Sequence, residues 1–188
     1  DKVTALDSVG GWIKHLFQYV TGSLKDVTFE VYALEDVKSA DGESEDYYKK
    51  DELVATITTD DTGIAKISGL PLGKYYVKEK ATEDGFVLDN EAREIDLTYR
   101  DQDTAEVTYS ADWQNNRQKA EVEVVKKEKD SDRVLEGAVF ALCVKDDITG
   151  ADGKVILKAD TVIEELATDK EGKLTFTADL PIGFAYYI

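Results

Sequence analysis

The sequence contains the same pattern of residues twice. Four segments of the first copy recur 111, 111, 109 and 110 positions later. This period is longer than the roughly 20–50 residues of a solenoid repeat and has the length of a domain. We therefore predict a tandem pair of domains, over residues 1–117 and 118–188. The recurring segments are Leu24–Asp36 with Leu135–Asp147, Ala40–Gly42 with Ala151–Gly153, Thr59–Gly63 with Thr168–Gly172, and Leu70–Gly73 with Leu180–Gly183.

The two copies differ at their ends. Residues 1–23 precede the first repeated segment and form an atypical N-terminal segment, which we assign to the first domain. The second copy stops at Ile188, directly after its Leu180–Gly183 turn, whereas the first continues for about 40 residues beyond the equivalent turn. We therefore expect a second domain that is incomplete at its C-terminus, within a fragment of a longer protein.

The composition excludes several classes of function. The net charge of −17, from 23 basic and 40 acidic residues, argues against nucleic acid and anionic membrane as partners. No segment approaches the roughly 18 apolar residues of a membrane helix. One cysteine, Cys143, and one histidine, His15, leave no internal disulfide and disfavour most metal and acid–base sites. We therefore expect no metal, no cofactor and no turnover enzyme, and we expect Cys143 to be a small packed residue.

Short segments with period-two alternation cover most of the chain, and turn sequences such as Asp60–Gly63 lie between them. This pattern predicts an all-β fold of tandem Ig-like, prealbumin-like antiparallel β-sandwiches. The polar segment Lys38–Lys50 is predicted to be a surface loop. The alternating segments are Val27–Tyr32, Leu53–Thr59, Ile64–Ile67, Tyr75–Lys78, Glu94–Thr98, Ala105–Tyr109 and Val122–Val125.

The stretch from Trp12 to Val20 fits two kinds of structure. Its apolar residues have the i, i+1, i+4, i+5, i+8 spacing of an amphipathic helix. As a strand, the same stretch places Trp12, Leu16 and Val20 on one face. We favour a short N-terminal helix and keep the strand as the alternative.

Three segments together resemble the Cna B-type domain, also called SpaA-like or prealbumin-like. They are Leu70–Leu88, Lys126–Phe140 and Asn115–Lys119, and the resemblance covers roughly residues 24–188. It implies an extracellular, secreted module, because such domains occur in strings in the cell-wall-anchored adhesins and pilins of Gram-positive bacteria. They act there as stalks or as ligand-presenting modules. Many carry an isopeptide bond that forms between a Lys near the start and an Asn near the end, promoted by a Glu in the middle.

The resemblance assigns this chemistry to particular residues. Glu79 matches the promoting Glu and shares a strand face with Tyr75 and Val77. Asn115 matches the terminal Asn, with Asn116 as the alternative register. A buried Lys amine becomes neutral and nucleophilic, and a protonated Glu can donate a hydrogen bond to the Asn carbonyl while ammonia leaves.

The lysines of the two domains differ. In the second domain Lys126 matches the reactive lysine and should point into the core, while the Glu and Asn of that domain would lie beyond Ile188. In the first domain the equivalent position is His15, beside Lys14, or Ala5 if the first strand begins at Lys2. Lys14 is the preferred bond partner and Lys2 is a less favoured one, but we expect that the first domain forms no bond.

The leading hypothesis for function is a non-catalytic structural stalk or pilin-like module whose partners are neighbouring repeat domains. The alternative is an adhesin domain that binds a host protein or glycan through a sheet face or the loop Lys38–Lys50. An enzyme, such as a glycosidase with paired carboxylates, is disfavoured because 40 acidic residues produce such pairs by chance.

Overall fold

The computed structural model describes residues 2–9, 12–150 and 152–188, and for residues 2–9 only the backbone. Throughout these ranges every regular element is a strand and every strand pairing is antiparallel, so the predicted all-β class is confirmed. No helix in the described ranges has the length and apolarity needed to cross a membrane. The strands are β1 (Lys2–Val9), β2 (Trp12–Gln18), β3 (Thr28–Ala33), β4 (Leu53–Thr58), β5 (Lys74–Ala81), β6 (Arg93–Asp96), β7 (Val122–Val125), β8 (Val139–Val144), β9 (Ile148–Thr149), β10 (Val155–Leu157), β11 (Val162–Ala167), β12 (Lys173–Phe176) and β13 (Tyr186–Tyr187).

The chain divides into two compact units. The first-repeat unit is residues 22–117, and the second-repeat unit is residues 118–188 together with the described residues up to Thr21. This differs from the predicted division, which placed residues 1–23 with the first repeat. The N-terminal residues join the second-repeat unit because β2 pairs with β11 of that unit.

The first-repeat unit contains a four-stranded sheet in the order β4-β3-β5-β6. Alternation along β3 places Phe29, Val31 and Ala33 on the buried face, and alternation along β5 buries Tyr75 and Val77 beside them. Removing these side chains from water is the main favourable contribution to folding of the unit.

The second-repeat unit contains two facing groups of strands. A five-stranded sheet has the order β1-β2-β11-β8-β13, and a two-stranded sheet joins β12 to β7. Leu142 and Ile163 of the large sheet and Leu174 and Phe176 of the small sheet belong to one buried cluster. This arrangement is the core of a β-sandwich. A third, two-stranded sheet pairs β9 with β10.

The favoured helix over Trp12–Val20 is wrong, and the strand alternative is the one observed. Segment β2 pairs with β1 along its length and with β11 where Lys14 lies opposite Glu164. His15 and Phe17 are buried, whereas Trp12 and Leu16 are 37% and 40% exposed on the other face. The apolar spacing fits a helix and a strand equally well, and the neighbouring strands decide between them because they pair with the backbone of β2.

Two predicted strands of the first repeat lie outside any ladder. Residues Ile64–Ile67 and Ala105–Tyr109 have extended sequence patterns, but neither segment pairs with a strand in the first-repeat unit, all of whose residues are described. The equivalent of Ile64–Ile67 in the second repeat is β12, which pairs with β7 over four residue pairs. Alternation alone therefore did not predict which segments find partners.

Candidate functional site

Strand β5 places Glu79 in the interior of the first-repeat unit. In the register of β3 and β5 it lies opposite Phe29, and it follows Val77 on the same face of the strand. The residue is only 5% exposed. A carboxyl group is costly to bury unless hydrogen-bond donors surround it, so its partners identify the site.

Asn115 supplies the main partner. Its side-chain Nδ2 donates to Glu79 Oε1 at 2.7 Å and to Oε2 at 2.8 Å, and it also donates to the Val87 carbonyl at 3.1 Å. The backbone N–H of Asp89 donates to Glu79 Oε2 at 2.5 Å. Asn116 is exposed, and its carbonyl accepts from the Val87 N–H, so Asn115 is the residue of the two that contacts the carboxyl group. We call Glu79 and Asn115 the acceptor pair.

The direction of this hydrogen bond differs from the expectation. We expected the carboxyl group of Glu79 to donate to the carbonyl of the Asn amide. In the structure both carboxyl oxygens of Glu79 accept, and the amide nitrogen of Asn115 donates. The geometry places Glu79 beside the nitrogen that would leave as ammonia, where it can pass a proton to that nitrogen.

An arginine–tryptophan contact holds the segment that carries Asn115. The guanidinium carbon of Arg93 lies 3.8 Å from the centroid of the Trp113 ring, and this ring meets Phe29 edge-on at 5.0 Å. Arg93 also donates to the carbonyl of Asp112 and pairs with Asp89 at 3.2 Å. One side chain therefore ties together the backbone segments on both sides of the acceptor pair. Sequence reasoning missed Arg93 and Trp113, although an aromatic residue two positions before Asn115 was a visible signal.

No lysine of the first-repeat unit donates to either member of the acceptor pair, although every residue of this unit is described. The lysines of this unit that form ion pairs or ring contacts do so with other groups. They are Lys25 with Asp26 and Asp61, Lys38 and Lys49 with Asp36 and Asp46, Lys74 with Glu35, Lys78 with the Tyr76 ring, and Lys80 with Glu30. The acceptor pair therefore brings a carboxyl group and an amide into contact, and no amine of this unit contacts either group.

Lys14, the preferred lysine from the sequence, lies in the second-repeat unit. Its Nζ is 3.3 Å from Glu164 Oε1 and donates to Thr177 Oγ1 at 2.5 Å. Glu164 is 2% exposed and also accepts from the Thr177 and Ala178 N–H groups at 2.7 and 2.9 Å. These contacts satisfy a buried carboxylate and attach β2 to the rest of its unit, so Lys14 has a structural role where the structure places it.

Lys126 does not point into the core as predicted. Strand β7 ends at Val125, and Lys126 follows it as an exposed residue. Its backbone remains bound, because its N–H donates to the Gly172 carbonyl at 2.8 Å and its carbonyl accepts from the Leu135 N–H at 3.0 Å. The side chains of Lys2, the less favoured partner, and of Ala5, which would occupy the lysine position if the lysine were lost, lie outside the described residues.

Two titratable groups near these sites are shifted by burial. Desolvation raises the pKa of Tyr75 to about 12, and its hydroxyl donates to the Pro71 carbonyl at 2.6 Å. Burial lowers the pKa of His15, whose Nδ1 has no hydrogen-bond partner among the described residues. Both groups are therefore held in their neutral forms.

The loop Lys38–Lys50 is held by its own charges. Asp46 binds the ammonium groups of Lys38 at 2.9 Å and Lys49 at 2.6 Å, and these bonds hold its pKa below the usual value. Asp41 accepts from the N–H groups of Glu43 and Ser44, as in a tight turn. Among the described residues no group of three or more His, Cys, Asp or Glu is arranged to hold a metal ion.

Comparisons with known proteins agree with this architecture. The family model described as the SpaA prealbumin-like fold domain matches residues 18–113 and 120–188. The Bacillus anthracis TIE protein is 27% identical with a TM-score of 0.52, over 82% of this chain and 23% of that one. The chain thus spans about a quarter of that relative's length. No curated protein sequence matches the chain.

Two pilin structures are also similar, at lower identity. A mutant of the shaft pilin SpaA from Lactobacillus rhamnosus GG is 19% identical with a TM-score of 0.37, over 88% of this chain and 80% of that one. The minor pilin of Streptococcus agalactiae is 18% identical with a TM-score of 0.32, over 82% of this chain and 66% of that one.

Proposed function

Because the chain belongs to the SpaA prealbumin-like fold domain family, we propose that it is a non-catalytic structural module of a Gram-positive surface protein or pilus. The module lies outside the cell, attached to the cell wall, in series with further repeat domains of its parent protein. It performs no turnover reaction.

The observation that carries this proposal is the acceptor pair. A buried carboxyl group bonded to an asparagine amide at 2.7 and 2.8 Å supports the chemistry of a Lys–Asn isopeptide bond. Such a bond needs no oxidising environment, which suits a chain with a single cysteine.

The location is tested on cells of the bacterium that encodes the chain. An antibody raised against residues 22–188 is expected to label intact cells, and the antigen is expected in the cell-wall fraction. Antigen confined to the cytosol would contradict the proposal. A cytosolic marker protein, measured in the same fractions, controls for lysis.

Binding to immobilised matrix proteins and glycans distinguishes the structural module from the adhesin alternative. If the module is only structural, the full chain and a variant without residues 39–47 should bind equally weakly. Strong binding that disappears in the loop-deleted variant would favour the adhesin function. The deletion removes Asp46 and its ion pairs but retains the sheet of the first-repeat unit. Unfolding measurements can verify that the shortened chain still folds.

A further inference from the structure

The five-stranded sheet of the second-repeat unit joins strands that are far apart in the sequence. Its order β1-β2-β11-β8-β13 places β1 at one edge and β13 at the other. The chain leaves this unit after Thr21, forms the first-repeat unit over residues 22–117, and returns at Gln118. The first-repeat unit is therefore an insertion between two parts of the second-repeat unit. We call β1 and β2, at Lys2–Val9 and Trp12–Gln18, the N-terminal strap.

An ion pair with a buried carboxylate attaches β2 to its neighbour β11. Lys14 lies opposite Glu164 in the ladder, and its Nζ is 3.3 Å from Glu164 Oε1 and 2.5 Å from Thr177 Oγ1. The Thr177 hydroxyl in turn donates to Glu164 Oε1 at 2.9 Å. Separation of β2 from β11 would leave the buried carboxylate of Glu164 without its counterion, which is strongly unfavourable.

Two further contacts extend this attachment toward the point where the chain leaves the unit. Phe17 is buried in the cluster that contains Leu174 and Phe176. The Tyr19 hydroxyl donates to the Asp179 carbonyl at 2.6 Å. An ion pair, a ladder pair, a buried aromatic side chain and a side-chain hydrogen bond therefore all hold the short stretch from Lys14 to Tyr19.

Loss of either edge strand does not release β2. The ladder of β1 is formed with β2, and that of β13 is formed with β8 through Tyr186 and Tyr187. Neither ladder includes β11, which lies between β2 and β8. The contact of β2 with β11 therefore decides whether the N-terminal side of the first-repeat unit stays attached to the second-repeat unit.

This connectivity determines which unit a pulling force stretches. Tension applied ahead of β1 and after β13 passes through the sheet that contains both strands. Thr21 and Gln118, which flank the first-repeat unit, both belong to the second-repeat unit while β2 stays on β11. A segment whose two ends are fixed in one folded body is not stretched by a force on that body.

We propose that the N-terminal strap keeps tension off the first-repeat unit, so that this unit extends only after β2 has separated from β11. Release of the strap is a sub-global opening of the second-repeat unit, and it transfers the force to the first-repeat unit. The module then lengthens in two stages. This inference rests on the proposed function, because a module in a string of domains is pulled from both sides.

The test is a single-molecule measurement at constant force, with handles attached ahead of Lys2 and after Ile188. Unfolding of residues 22–117, about 96 residues, adds at most roughly 320–350 Å of contour length. Unfolding of residues 118–188, about 71 residues, adds at most roughly 230–260 Å. Ten glycine and serine residues inserted after Ser44 should lengthen the first-repeat step alone, by about 33–36 Å, and so identify it.

A matched pair of charge reversals tests the strap. Lys14→Glu places a second carboxylate beside Glu164, so the first-repeat unit should survive under force for a time that is shorter by roughly tenfold or more. Lys25→Glu makes the same change within the first-repeat unit, at a side chain that is 56% exposed, and should alter this lifetime by less than about twofold.

An equilibrium measurement separates protection from force from ordinary stability. Trp113 lies in the first-repeat unit, and in a Trp12→Phe background it is the one tryptophan of the chain. Urea unfolding followed by its fluorescence should give the same midpoint with Lys14 or with Lys14→Glu. Tyr19→Phe removes only the bond to Asp179 and should shorten the lifetime under force by roughly threefold to tenfold. It is the deciding variant if Lys14→Glu loses the second-repeat step.

Two results would overturn the proposal. One is a first-repeat step that precedes any loss of the second-repeat unit or of the strap in the unmodified chain. The other is a lifetime of the first-repeat unit under force that neither Lys14→Glu nor Tyr19→Phe changes. Either result, together with surface labelling of intact cells, would reject this inference alone. Cytosolic antigen together with a lifetime that depends on the strap would reject only the proposed location.

Discussion

At the scale of single residues, the site depends on a few side chains that satisfy buried polar groups. Glu79 accepts from Asn115 and from the Asp89 backbone, and Glu164 accepts from Thr177, Ala178 and Lys14. The strand parity of β5 predicted that Glu79 faces inward. The position of Lys14 was not predictable in this way, because its partner Glu164 lies 150 residues away and only the folded chain brings the two together.

Glycine is required at position 172 for space as well as for conformation. Gly172 has φ +71° and a Cβ there would lie 2.8 Å from the Lys126 carbonyl oxygen, which is fixed backbone. Gly153 has a similar φ of +74° with nothing within 4 Å, so Gly153→Ala isolates the conformational cost of about 1–2 kcal/mol. Gly172→Ala should lower the free energy of unfolding by about 1–3 kcal/mol more than Gly153→Ala does. Urea unfolding of both variants checks this, and equal losses would contradict it.

The buried hydroxyl of Tyr75 makes stability depend on alkaline pH. Its pKa is raised to about 12 by desolvation, above the value of 10.0 expected in the unfolded chain. Its contribution is therefore complete below pH 10 and is lost as pH rises through about 12. Tyr75→Phe should lower the free energy of unfolding by about 1 kcal/mol at neutral pH, because the bond to Pro71 is lost.

The comparison of Tyr75→Phe with the unmodified chain supplies its own control, since the other titrating groups are common to both. The difference in unfolding free energy should narrow as pH rises above 10. Urea midpoints measured from neutral pH to about pH 12 test this. A difference that stays constant over this interval would show that Tyr75 ionises as readily in the folded protein as in the unfolded chain.

At the scale of elements, alternation predicts which segments are extended but not which of them pair. Strands β3, β4, β5 and β7 lie where the alternation places them. Ile64–Ile67 is the equivalent of β12 and lacks a partner strand, and β2 has a helical spacing yet forms a strand. Both differences depend on backbone hydrogen bonds to distant strands, which local sequence does not encode.

Because β12 has a partner strand and its equivalent in the first repeat has none, substitutions at equivalent residues of the two segments can be compared. Phe176 lies in β12, which pairs with β7, and is 4% exposed, whereas its equivalent Ile67 lies in the unpaired segment Ile64–Ile67 and is 38% exposed. Phe176→Ala should cost about 3–5 kcal/mol in its unit, and Ile67→Ala about 1 kcal/mol in the other. Thermal unfolding of the two variants, with the transition of the unaltered unit as internal reference, measures both. Similar losses would mean that the side chain of Ile67 is covered in the free chain.

At the scale of the whole molecule, the chain is a tandem repeat whose units differ in how they are completed. The second-repeat unit incorporates the N-terminal strands β1 and β2, and the first-repeat unit leaves Ile64–Ile67 without a partner strand. The repeat, the all-β class and the family were predictable because they are recorded in local patterns. The assignment of residues 1–21 to the second-repeat unit was not, because it follows from a strand pairing across the chain.

The central claim is that the first-repeat unit holds an acceptor pair without a lysine of its own. The most direct test is the intact mass of the purified chain. We predict the unmodified mass of the sequence, with no deficit. A deficit of about 17 Da that disappears in both Asn115→Ala and Lys14→Arg would contradict the claim. It would show that Lys14 reaches Asn115 and closes a loop of about 100 residues, a link that on the disulfide analogy stabilises by roughly 4–5 kcal/mol.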